Sequence, residues 1–105
     1  LWKNILKSTL EDLGIVEPFS WISKDRISDG EAELVDGEYG IYWQINQFGL
    51  ERGYRNKGLG EKYLREFIDY LESEFETNDI PLVHMPVGEA ITFWERMEGK
   101  GLVIV

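Results

Sequence analysis

A chain of 105 residues with 43% hydrophobic and 13% aromatic content has enough apolar material for one domain with a single core. Its formal net charge of −9 argues against nucleic acid as the main partner, because a phosphate backbone rewards a basic face, and no apolar run approaches a membrane span or resembles a signal peptide. Cysteine is absent, which excludes disulfides, thiolate metal sites and a cysteine nucleophile and is compatible with a reducing cytoplasm.

Near the start, Trp2, Ile5, Leu6, Leu10 and Leu13 recur at helical spacing, and Gly14 is placed to end that helix. Pro18 and the polar run over residues 23–30 predict a strand or irregular segment around residues 19–22, followed by a loop. Residues 31–35, the Asp36-Gly37 pair and residues 38–50 read as a β-hairpin with a tight turn. Along its second strand, period two puts Tyr42, Gln44, Asn46 and Phe48 on one face, and Gly49 fits a bulge. Leu59, Tyr63, Leu64, Phe67, Ile68, Leu71 and Phe75 stripe one side of a helix of roughly five turns. Asn78-Asp79 breaks that helix; residues 80–85 then form a short buried strand, residues 89–97 a second helix and residues 102–105 a last strand. No internal repeat, linker or low-complexity tract interrupts this order.

The most informative stretch joins the hairpin to the long helix: Arg55, Asn56, Lys57, Gly58, Leu59 and Gly60. Glycine removes the Cβ that would keep an anion from the backbone and allows φ values that turn successive N–H groups toward one point. The first turn of the helix adds unpaired N–H donors and the positive end of its dipole. Neither GxxxxGK[ST] nor GxGxxG is present, so a phosphorylated ligand other than those two motifs serve is expected. Between positions 52 and 65, Arg52, Arg55, Lys57, Lys62 and Arg65 face Glu61 alone, a basic segment in an acidic protein. Arg55 and Lys57, beside the glycines, suit a phosphate, whereas Lys62 and Arg65 fit a solvated helix face. The acidic remainder suits a cationic amine.

Residues 55–60 fit [QR]xxGx[GA], and in this they resemble the pyrophosphate signature of the GNAT superfamily of acyl-CoA N-acyltransferases. Residues 48–55 are similar to that family's strand end, with apolar alternation, a short turn and then Tyr54-Arg55. Residues 90–96 are similar to its later helix, "A..fYek". The resemblance runs over residues 31–105 of a single domain spanning 1–105. It implies an α/β fold with a mixed sheet, mainly antiparallel with a splayed parallel pair, flanked by helices. It further implies acetyl-CoA as co-substrate, held by Phe48 and Leu50 through their backbone and by Arg55, Asn56, Lys57, Gly58, Leu59 and Gly60 at its phosphates. The activity implied is transfer of an acetyl group to a primary amine, on a small molecule or a protein, by direct attack in a ternary complex in the cytoplasm.

The chemistry of proton removal is less legible. Gln44 lies where some members carry a glutamate base, and an amide cannot take a proton; it can orient substrate and waters. His84, the one histidine, has a pKa suited to a base, but a lone strand histidine is more often packed or superficial. Trp94 stands where the family has a tyrosine acid, Val87 replaces an asparagine, and the usual first and last strands are missing from the pattern. A non-catalytic acyl-CoA-binding or interaction module of the same fold is therefore the alternative, and a plain helix start at residues 55–60 is a third. Of Trp21, Tyr39, Tyr42, Trp43 and Trp94, at most two are expected to line a groove. One histidine, no cysteine and carboxylates without ligand spacing predict no metal beyond a weak surface site.

Overall fold

The computed structural model describes residues 18–38, 40–55 and 57–105; the helix expected over residues 2–13 and the side chains of Tyr39 and Asn56 lie outside them. Four strands follow one another across a sheet in chain order: β1 (Phe19–Ile22), β2 (Ser28–Gly37), β3 (Gly40–Leu50) and β4 (Leu82–Val83). The first three are antiparallel neighbours, while β3 and β4 run parallel, so the chain must cross over between them. Helix α1 (Gly60–Glu74) makes that crossover, and α2 (Ala90–Gly99) leads from β4 to a single parallel bridge between Leu82 and Ile104. Among the described residues the fold is thus mixed α/β, as expected, with a four-stranded mixed sheet and two helices.

Several boundaries move for physical reasons. Strand β2 begins at Ser28, because a tight turn, closed by Ser23 N–H donating to Ser28 O at 2.8 Å, occupies only residues between them. The hairpin closes two residues later than Asp36-Gly37 suggested, with Gly37 opposite Gly40. Gly40 supplies a positive φ, 129°, at this closure. The strand expected over residues 80–85 shrinks to Leu82–Val83, since Met85 adopts φ 46° and turns the chain away.

The bulge forms at Asn46, not at Gly49. Glu31 pairs with Gln47 and Ala32 with Ile45, so Asn46 is the extra residue, while Gly49 sits in register opposite Asp29. One inserted residue reverses the alternation beyond it. Trp43 and Ile45 are buried on the helix side, and past the bulge Phe48 joins them, stacked at 6.0 Å from Phe67 and edge-on at 5.8 Å from Trp94. Tyr42, Gln44 and Asn46 therefore do not share a face with Phe48.

The core lies between this face of the sheet and the two helices. Leu64, Phe67 and Leu71, at spacings of three and four, turn one side of α1 onto the sheet, with Tyr63 beside them. Phe67 stacks on Trp21 at 5.2 Å as well as on Phe48, and it does so directly above Gly30, where a Cβ would come 2.7 Å from its ring. At the far end of α1 the buried Trp43 indole N–H donates to Phe75 O at 3.0 Å, so the helix terminus is tied to the centre of the sheet. Glu72 accepts from the Thr77 N–H and hydroxyl at 2.8 and 2.9 Å, and Phe75 is extended, which ends the helix before Asn78-Asp79. Because the Phe67 ring is held between Trp21 and Phe48, Gly30→Ala is expected to destabilise the fold by about 1–3 kcal/mol. Urea unfolding monitored by tryptophan fluorescence measures it, and an unchanged midpoint would contradict the close ring–backbone approach.

Candidate functional site

The described residues between 51 and 60 turn the chain from β3 into α1. Glu51 N–H donates to Ile27 O at 2.7 Å, a one-turn 3-10 segment covers Arg52–Tyr54, and Arg55 returns to extended backbone. The Arg55 Nε donates to Leu50 O at 2.9 Å, so this side chain folds back over the end of β3 with its terminal nitrogens still available. Gly58 has φ 73° with no atom within 4 Å of a Cβ built on it, so it supplies a left-handed turn in open space. Gly60 differs: a Cβ there would come 2.5 Å from Phe93 Cε1, so this glycine admits α2 against the start of α1. Leu59 caps α1 without any side-chain hydrogen bond, which leaves the first-turn N–H groups without a side-chain acceptor.

Glu61 occupies that first turn, where a carboxylate is favoured by the helix dipole. It accepts from Lys100 and from Arg65, the latter at 3.1 Å, and the Lys100 hydrogen bond above all lowers its pKa. Arg65 thus pairs within the exposed face of the helix, and Lys62 rests its ammonium 4.9 Å from the Tyr63 ring. Both belong to a solvated face, as their position in the sequence suggested.

Beside the loop, β3 and β4 part. They pair only through Gln44 with Leu82 and Ile45 with Val83, and the last bond runs from His84 N–H to Ile45 O at 2.9 Å. Since Glu51 N–H points toward β2, alternation along the strand aims the backbone groups of Phe48 and Leu50 at the opposite edge. Among the described residues, no strand pairs with β3 on that edge beyond Ile45. His84 is exposed at this parting, whereas Gln44 is half-buried on the sheet face away from the helices. The Gln44 amide donates to Glu33 Oε1 and Asn46 Oδ1, both at 3.0 Å. A carboxylate therefore lies beside Gln44, and the sequence carried its signal only in the cross-strand register of Glu33 with Gln44.

Phe48, Leu50 and Arg55 border an open groove of about 700 Å³ on the side of β3 toward β2, with Gly49, Asp29 and Ile22 also along it; Lys57, Gly58, Leu59 and Gly60 do not. Of the aromatics considered as groove-lining residues, none of the four that are described reaches it. Trp43 and Trp94 are core, Trp21 packs on Phe67, and Tyr42 borders a smaller hollow of about 240 Å³ at the other end of the sheet. Trp94, at the position matched to a tyrosine acid, is only 6% exposed and is closed in by Phe48 and Phe93. Gly49 relieves no crowding from a helix, since a Cβ there would meet only Asp29 Oδ1, at 3.9 Å.

One wall of the groove is a turn fastened to α1. Asp25 accepts from the Tyr63 hydroxyl at 2.6 Å, from the Ser23 hydroxyl at 2.7 Å and from Ile27 N–H at 3.2 Å. The Tyr63 hydrogen bond, then that of Ser23, holds the Asp25 pKa down from 3.8 to about 2. Conversely, the same bond to Asp25, then burial, pushes the Tyr63 phenol up to about 12. Arg26, between these anchors, adopts φ 62°.

No protein-family model matches the chain, and no curated protein matches it. Among the described residues no three of His, Asp and Glu gather as a metal site requires, and no helix is long and apolar enough to cross a membrane.

The Asp25–Tyr63 bond sets a pH dependence of known sign. Asp25 favours the folded state while it is ionised, so its contribution is complete above pH 3.8 and is lost as the pH falls toward 2. Tyr63 favours it while protonated, so its contribution is complete below pH 10 and is lost toward 12. Tyr63→Phe is expected to flatten the acid limb of stability, measured as urea midpoints between pH 2 and 5 (about the range that limb covers). An acid limb as steep as the parent's would show that Asp25 is not held by Tyr63.

Proposed function

We propose that this chain binds acetyl-CoA at the turn from β3 into α1 and transfers the acetyl group to a primary amine by direct attack. The observation that carries this reading is the parting of β3 and β4. A strand edge on which, among the described residues, no strand pairs with Phe48 or Leu50, and where Leu50 O already accepts from Arg55 Nε, lies beside a glycine turn and an uncapped helix start. An extended amide-bearing arm satisfies such an edge as another strand would. Gly58 in open space, the first-turn N–H groups of α1, Lys57 and the terminal nitrogens of Arg55 then suit its pyrophosphate. The reading rests also on the resemblance of residues 48–60 and 90–96 to the GNAT family.

The thioester supplies an activated acyl carbon. Attack by the amine nitrogen forms the C–N bond as the C–S bond breaks, and the amine's proton passes by way of a base to the departing thiolate. Two groups near the parting of the strands can accept that proton: the exposed His84 imidazole and the Glu33 carboxylate oriented by Gln44. Gln44 itself orients, since its amide is already spent on Glu33 and Asn46.

A second reading has its own support. Trp94 is packed into the core, so the helix position that would carry an acid is committed to packing, which favours an acyl-CoA-binding module without turnover. The two readings share the ligand and divide on chemistry.

Millimolar CoA is expected to raise the melting temperature, since a ligand that binds only the folded state stabilises it by mass action. Gly58→Val should abolish the shift; because Gly58 sits at φ 73°, that variant also melts lower on its own, and the comparison is of shifts and not of absolute temperatures. A parent melt indifferent to CoA would remove both readings. His84→Gln separates them further: with His84 as base, acetyl transfer across a panel of amines falls by roughly 10²-fold while the melting temperature barely moves. With no turnover in the parent for any amine, the binding module stands.

A further inference from the structure

The groove beside β3 is lined by three arginines, Arg26, Arg52 and Arg55, in a protein of net charge −9. Among the described residues none of the three lies within ion-pair distance of a carboxylate, although Asp29 and Glu51 are in the same groove. Arg55 spends its Nε on Leu50 O, which fixes the direction of its fork and leaves the outer nitrogens available. Arg26 is more unusual. It holds φ 62°, a backbone region unfavourable for any residue with a Cβ, where glycine would be relaxed. The turn that forces it there is built with care: Arg26 N–H donates to Ser23 O at 2.9 Å, Ser28 N–H to Ser23 Oγ at 3.0 Å, and Asp25 is pinned by Tyr63. Across the turn, Ser28 Oγ donates to Gly49 O at 2.8 Å, so the Arg26 wall and the β3 wall are fixed to one another. A strained residue held by its surroundings at the rim of a cavity is the pattern of a functional position.

We propose that this groove is a binding site for a small organic polyanion, one that presents two or more carboxylate or phosphate groups to Arg26, Arg52 and Arg55. Planar forks recognise both kinds of oxygen pair, and Ile22, which is 60% exposed, provides an apolar side for the carbon skeleton. A volume of about 700 Å³ suits a metabolite-sized ligand. The two sites share Arg55, but Arg26 and Arg52 belong to this groove alone, and Lys57, Gly58, Leu59 and Gly60 are not among its walls. It therefore does not depend on the acyl-CoA reading.

Calorimetric titration of the full chain at low ionic strength with citrate, and separately with fructose 1,6-bisphosphate, tests it. Saturable binding of at least one is expected, and the tighter probe tells whether carboxylates or phosphates are preferred. Arg52→Gln should weaken that binding by about tenfold or more. Arg26→Gly should do the same while keeping or raising the melting temperature, because glycine relaxes the positive φ. Arg96→Gln, which removes the same charge from α2, should leave it unchanged. No saturable binding of either probe would overturn the proposal. So would equal weakening by Arg96→Gln or full affinity in Arg26→Gly. Absence of CoA binding, by contrast, would remove the acyl-CoA reading and leave this one standing.

Discussion

One extra residue in β3 decides which side of the sheet does what. Without the bulge at Asn46, a regular period would carry Phe48 to the outer face, away from Phe67. With it, Trp43, Ile45 and Phe48 all feed the core, and the polar residues before the bulge stay outside. The end of β3 consequently offers three different surfaces: a ring packed inward, a backbone edge toward the parted β4, and a face toward β2 that includes Gly49. Both proposed sites use this short segment, and neither would exist in a regular strand.

The helices hold that segment rigid from above. Phe67 presses on Gly30, Trp21 and Phe48, while Phe93 of α2 stacks at 6.1 Å on Phe48 from the other side. Apolar contact of this kind is non-directional, so it sets the spacing of the layers without setting the register. Register comes from the polar ties at the two ends, Trp43 to Phe75 O at one and Tyr63 to Asp25 at the other. The second of these places a surface turn, and the arginine within it, under the control of a buried helix face.

Much of the architecture was legible in the sequence because it is periodic. Leu64, Phe67 and Leu71 announce a helix by spacing alone, and α1 lies where they put it. Residues 19–22 read as a strand or an irregular segment and form β1, and the second helix expected over residues 89–97 is α2. What escaped was non-periodic. A bulge leaves no mark in composition, so glycine drew attention to position 49 when the extra residue was Asn46. The Asp36-Gly37 pair is a turn signal, yet closure at Gly40 is just as compatible with the chain and keeps Gly37 paired in the ladder. At the candidate site, the sequence marked residues 55–60 but not Arg26 or Glu33. Their relevance lies in contacts across the fold: Arg26 through a turn anchored 38 residues away, and Glu33 through its opposite number in the hairpin.

The two glycines of the loop also answer to different demands. Position 58 is constrained by its backbone angle alone, with nothing nearby for a side chain to strike, so asparagine, which tolerates the left-handed region, is the least disruptive replacement there. Position 60 has ordinary helical backbone and is constrained by the edge of Phe93, so its tolerance depends on what α2 carries. A smaller residue at 93 would release position 60 and leave position 58 as restricted as before. Two letters that look interchangeable in a pattern are thus coupled to different parts of the molecule, one to its own peptide plane and the other to a helix some thirty residues downstream.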